Sequence, residues 1–190
     1  MKSKLYLIVF LFLISVNLSW AANFFPDKAF SEKQDANDFV VGWYSKHLVA
    51  LGENSLWENR ETKGLFVYRF LSLPTWGSPT AITFRLNDEG TGKLVIKKTD
   101  GQGGYEPGKL VLDKTISLDE RQTKEILEQF KKLDFWKLPV KDDVMGLDGT
   151  QWIIEGVKEG RYHIVDRWTP GSGDFYDTCR LLFRISELEP

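Results

Sequence analysis

Three residues in the C-terminal third invite a catalytic reading: Glu155, His163 and Asp166. An ordered triad needs a base within hydrogen-bond reach of the group that orients it. The segments 151–157 and 161–168 read as two strands of a hairpin turning at Glu159 and Gly160. Side chains alternate along a strand, so His163 and Asp166, three apart, face opposite sides. With a two-residue turn, Gly156 lies opposite His163, and Glu155 falls on the other face. Cross-strand polar pairing is therefore expected here rather than catalysis. Cys179 with His163 would be a second nucleophile pairing, yet Cys179 shares a helix face with Phe175, Leu182 and Ser186 and reads as a buried, inert thiol.

Metal chemistry has little to work with. There are two histidines, and His47 sits on the apolar side of a helical pattern, where a hydrogen-bonded core histidine is expected. Asp142, Asp143 and Asp148 lack the regular ligand spacing of a calcium loop. "DGQGGYEPG" lacks the lysine and Ser/Thr of a phosphate-cradling loop and precedes no helix, so it reads as a long hairpin connection with Tyr105 at its tip. No cofactor and no metal site is expected.

Binding candidates remain. The hairpin register places Trp152 opposite Arg167 and puts Trp152, Ile154, His163, Val165 and Arg167 on one face. Tyr162, Ile164, Asp166 and Trp168 join Ile153 and Val157 on the other. One face must be core, and the other would set aromatics beside charges, which suits recognition or cation–π packing. Gly156 marks a close approach within the strand, which the His163 imidazole or a ligand could fill. Trp76 lies on "LPTWGSP", either exposed as a contact residue or folded back as a cap on the sheet.

The elements that would hold these residues follow from periodicity. Ser31 and Gln34 form a capping-box pattern, and Phe39, Val40, Trp43, Tyr44, His47, Leu48 and Leu51 recur at helical spacing, with Gly52 as the stop. Strands follow at 65–71, 80–86, 93–99 and 109–116. "GKLVIKKT" from Gly92 and "GKLVLDKT" from Gly108 match at six of eight positions, so Leu94 and Ile96 should share an inward solution with Leu110 and Leu112. Ser117 and Glu120 suggest a second capping box before a helix with the stripe Ile126, Leu127, Phe130, Leu133. A last, largely apolar helix is expected over 174–188. The order helix, strands, helix, hairpin, helix implies an α+β domain: a single antiparallel sheet of about five to six strands with about three helices packed on one face.

Composition sets the frame. Lys2 and Lys4, an apolar run from Leu5 to Leu18, and the small residues Ser19 and Ala21 make a secretory leader over 1–21. One domain is expected over 22–190, with a helical segment at about 31–52 and a sheet-and-helix body at about 64–190. The formal charge of −2 becomes −4 without Lys2 and Lys4, which gives no basic excess for nucleic acid. The one cysteine can form no internal disulfide and stands far from the cleavage site, so no stable membrane anchor is expected after cleavage. The expected location is the periplasm or the exterior.

"GQGGYEPGKL", "LDFWKLP" and "GLDGTQWIIEGVKEGRYHIVDRWTPGSG" together resemble a family of exported bacterial proteins sharing a "DGxxWxxEGxxxGxYHxVxRW" hairpin. The resemblance spans roughly Leu65 to Leu188 and leaves the N-terminal helix outside. It implies the domain and transfers no catalytic residue.

The functional expectation is a non-enzymatic periplasmic module that binds an envelope protein, inhibitor- or immunity-like, through some of Trp76, Tyr105, Trp152, His163, Arg167 and Trp168. Two rivals stand beside it. One is an envelope hydrolase joining Glu106, Asp148 and His163, and the other is a carbohydrate-binding module stacking sugars on Trp76, Tyr105 and Trp168.

Overall fold

The first strand, "FVYRFLSLP", is apolar at both parities, and such a strand can be stable only with both faces covered. That fact shapes the whole architecture. A computed structural model describes residues 23–87, 89–144 and 146–188, so the expected leader lies outside the described residues. The elements run α1 (Gln34–Ala50), β1 (Phe66–Pro74), β2 (Thr80–Leu86), β3 (Gly92–Thr99), β4 (Leu110–Ser117), α2 (Glu120–Lys132), a 3-10 turn (Phe135–Lys137), β5 (Thr150–Lys158), β6 (Arg161–Trp168) and α3 (Asp174–Ser186). All six strands join one antiparallel sheet in the order β4-β3-β2-β1-β5-β6.

The fold is α+β, with one six-stranded antiparallel sheet and three helices. The helices divide between the two faces, however, rather than sharing one. α2, α3 and the 3-10 turn cover Tyr68, Phe70, Ile82, Phe84, Ile154 and Val165. α1 and the segment before it cover the reverse side through Leu71, Leu73, Ala81, Ile153 and Ile164. β1 and β5 sit at the centre and are buried along nearly their whole length. Two stacked ring pairs anchor the first layer: Tyr68 on Phe130, with centroids 3.7 Å apart, and Trp152 on Tyr176, 5.6 Å apart.

The β5–β6 register is the expected one: Gly156 opposes His163 and Trp152 opposes Arg167. Glu159 and Gly160 both have positive φ, 53° and 77°, the backbone of a tight hairpin turn that matches strand twist. The space over Gly156 is not filled by His163, though. A Cβ there would meet Phe135 at 2.6 Å and Tyr68 at 2.9 Å, so the two rings use the missing side chain to close onto the sheet.

Helix starts differ from the sequence expectation. α1 begins at Gln34, and Ser31 only accepts from the Lys33 amide at 3.1 Å. In α2 the reciprocal cap is Asp119 with Gln122, because Ser117 is still paired with Lys93 in the sheet. The echoed strands are not equivalent either. Leu94 and Ile96 are fully buried, whereas β4 is an edge strand with an irregularity beside Thr99, and Leu110 is 42% exposed.

Candidate functional site

Glycines build the site before any side chain does. In the 100–109 loop the amides turn inward: Gly101 donates to Pro107, Gln102 to Glu106, Gly103 to Gly77 and Gly104 to Thr75. Cβ atoms at 101, 103 and 108 would fall within 2.6 Å of backbone or of Asp100. These amides are spent within the loop and on the neighbouring turn at 75–77, which makes the loop a rigid display for Tyr105. Gly146 does the same for Trp168, whose indole lies where its Cβ would be, and a Cβ at Gly149 would meet first the Thr169 hydroxyl and then the same indole.

These loops and α1 enclose an open groove of about 990 Å³. Asp38, Phe39, Trp43 and Lys46 line it from α1. Tyr105 comes from the 100–109 loop, and Val144, Leu147 and Asp148 come from the 141–149 loop. Trp76 joins the rim by packing on Tyr105, ring centroids 5.0 Å apart and tilted 34°. Phe39 is 71% exposed, Trp76 62% and Leu147 96%.

The floor is polar. Asp166 is buried, accepts from the Tyr44 hydroxyl at 3.0 Å and from the Gln151 amide, and lies 3.6 Å from the Lys141 ammonium. Burial raises its carboxyl above the usual range, against the pull of Lys141, Gln151 and Tyr44. The Tyr44 hydroxyl is pushed well up by burial and by Asp166, so it stays protonated and donates.

Three of the six sequence candidates meet here: Trp76, Tyr105 and Trp168. The other three belong to the opposite face. Trp152 is buried beneath Tyr176 and beside Phe70. His163 packs beside Phe135 and donates from Nε2 to the Leu138 carbonyl at 3.0 Å, its pKa lowered by burial. Arg167 reaches round the edge of β6 to the Pro139 and Val140 carbonyls, both at 2.9 Å, and to Asp142 at 3.4 Å. Neither hairpin face is therefore the solvated aromatic surface that the alternation suggested. The sheet also separates His163 from Asp148 in the groove, while Glu106 pairs with Lys46 at 3.4 Å. Glu106, Asp148 and His163 do not form one centre.

Sequence reasoning missed Phe39, Val144, Leu147 and the Tyr44–Gln151–Lys141 floor. Phe39 shares the helical spacing of the apolar residues of α1, yet the buried side is formed by Tyr44, His47 and Leu48 and Phe39 points away from it. It also missed a buried ion network on the α1 side of the sheet. Arg69 donates to Glu155 on the adjacent strand and, at 2.8 Å, to the Asn54 carbonyl. Glu53 lies 3.2 Å from Arg69 and 3.1 Å from Lys97, and Tyr162 donates to Glu155 at 2.9 Å. Burial works against the Arg69 charge, and Glu155 and Glu53 outweigh it, leaving the guanidinium above its usual range. An arginine inside a largely apolar strand was the available signal. This network fixes the chain after α1 to the sheet.

His47 is buried as expected, but neither ring nitrogen has a hydrogen-bond partner, and the same holds for the Thr99 hydroxyl. Cys179 is fully buried, and burial pushes its thiol well up, which keeps it unreactive. Among the described residues no cluster of His, Cys, Asp and Glu could hold a metal ion, and no helix is long and apolar enough to cross a membrane.

No protein-family model and no curated protein matches this chain.

Proposed function

We propose that this protein is an exported, non-enzymatic binding module that takes a segment of an envelope protein into the groove between α1 and the 100–109 and 141–149 loops. The observation that carries the reading is the concentration of exposed apolar side chains. Among the described residues eight large hydrophobics are exposed; four of them, Phe39, Tyr105, Val144 and Leu147, line this one groove, and a fifth, Trp76, packs on Tyr105 beside it. Scattered single hydrophobics are ordinary, whereas a contiguous set around a concavity is the pattern of an interaction site. The glycine-built walls support a preformed site, which lowers the ordering cost of binding. An inhibitor or immunity-type role in the periplasm is the concrete version.

The test is capture of a stoichiometric partner from envelope extract by the purified protein, compared across variants. Trp76→Ala and Leu147→Asp should abolish capture, and Val49→Ala, exposed on α1 outside the groove lining, should leave it intact. Capture unaffected by both groove variants overturns the reading.

The Trp76–Tyr105 ring pair favours a second reading, a carbohydrate-binding module with these rings as the stacking platform. Saccharide titration followed by tryptophan fluorescence tests it, and no saturable change removes it.

A further inference from the structure

The cations and anions that line the groove are unevenly spent. Lys141 is engaged by Asp166 at 3.6 Å, and Lys46 by Glu106 at 3.4 Å. Asp142 is matched by Arg167 at 3.4 Å. Among the described residues Asp38 and Asp148 have no basic side chain within ion-pair distance. Asp38 accepts only from the neutral Gln34 amide, at 2.7 Å. One stands on α1 and the other on the 141–149 loop, and both line the same groove among Phe39, Val144 and Leu147. A ligand that seats its apolar groups on that rim brings its own charges beside two uncompensated carboxylates. Like charge there is penalised and opposite charge is attracted, most strongly at low salt.

We propose, resting on the binding-module reading above, that the groove selects an extended polypeptide segment carrying basic side chains among apolar ones. The apolar groups occupy the rim, and a lysine or arginine lies between Asp38 and Asp148. Lys141 stays with Asp166 and takes no part in holding the ligand's charge.

The experiment uses three labelled decapeptides: alternating leucine and lysine, leucine and glutamine, and leucine and glutamate. Binding to the purified protein is read by fluorescence anisotropy at low and physiological salt. The lysine peptide should bind most tightly and the glutamate peptide least, and salt should narrow the gap. The double variant Asp38→Asn, Asp148→Asn should weaken the lysine peptide by roughly tenfold and leave the glutamine peptide unchanged. Asp113→Asn with Glu89→Gln removes the same charge from exposed positions outside the groove lining and should change nothing. Equal binding of all three peptides, or equal loss in both double variants, overturns the proposal. If Leu147→Asp still abolishes binding in that case, the groove survives as a docking site without charge selection. If no peptide binds and Leu147→Asp leaves partner capture intact, the groove reading falls, and this proposal falls with it.

Discussion

The indole N–H of Trp43 donates to the carbonyl of Gly103 at 2.7 Å. The two residues lie on α1 and on the glycine-rich loop, so this bond ties together the groove walls that carry Phe39 and Tyr105. Trp43→Phe keeps the ring and removes the donor. The expected cost is about 1 kcal/mol in urea unfolding, together with a change in the Tyr105 environment by NMR. An unchanged midpoint would mean that the loop's bonds to Thr75 and Gly77 suffice alone.

Gly156→Ala tests the contact between the hairpin and the 3-10 turn. The new methyl would sit 2.6 Å from Phe135 and 2.9 Å from Tyr68, which is stacked on Phe130 and cannot retreat freely. Overpacking of this kind costs about 1–3 kcal/mol. Phe135→Leu in the same chain should recover part of that loss, because the two changes share one space. Stability equal to the parent in the single variant would show that the rings have room to move.

Arg69→Met leaves Glu155 buried without its cation and Glu53 with Lys97 alone, and should destabilise by about 3–5 kcal/mol. Adding Glu155→Leu should return part of this, since a buried ion pair replaced on both sides costs less than one broken on one side. Thermal unfolding of the single and double variants measures the difference. A double variant worse than the single would mean that Tyr162, left without its acceptor, dominates.

His47 gives the fold an acid-sensitive point. Burial, then the nearby Lys46 charge, lower its pKa from 6.5 to about 4. The unfolded chain therefore binds a proton at higher pH than the folded one. Stability from this residue is complete above about pH 6.5 and is lost as pH falls toward 4, by roughly 2–3 kcal/mol. His47→Phe should flatten the pH dependence of the urea midpoint in that window. A parallel shift of the whole curve would assign the dependence to other groups.

How much of this was legible beforehand depends on where the determining contacts lie along the chain. The β5–β6 register could be read because a two-residue turn at Glu159 and Gly160 leaves one pairing. The glycines around Tyr105 signalled a loop tip, whereas the prolines and glycine around Trp76 marked a loop without saying whether the indole stands out or folds back on the sheet. The two-sided burial of the sheet was not resolved, although β1 carries apolar residues at both parities, because sequence spacing does not say which helix takes which face. The groove floor was invisible for a plainer reason: Tyr44 and Asp166 are 122 residues apart, and no local pattern pairs them. Trp168 was chosen for its aromatic character, whereas its position depends on Gly146 and Gly149, whose bare backbone makes room for the indole.

The carbonyls of Leu138, Pro139 and Val140 accept from His163, from Arg167 and from the Asp166 amide, so this stretch lies along the outer edge of β6 as a selvedge. The next two residues, Lys141 and Asp142, are already part of the groove. One short ribbon thus finishes the sheet on one side and furnishes the cavity on the other. Loosening Lys141 from Asp166 would pull on the hem that keeps β6 from joining a strand of another chain. In this molecule one stretch of five residues, 138 to 142, both closes the edge of the sheet and opens onto the groove wall.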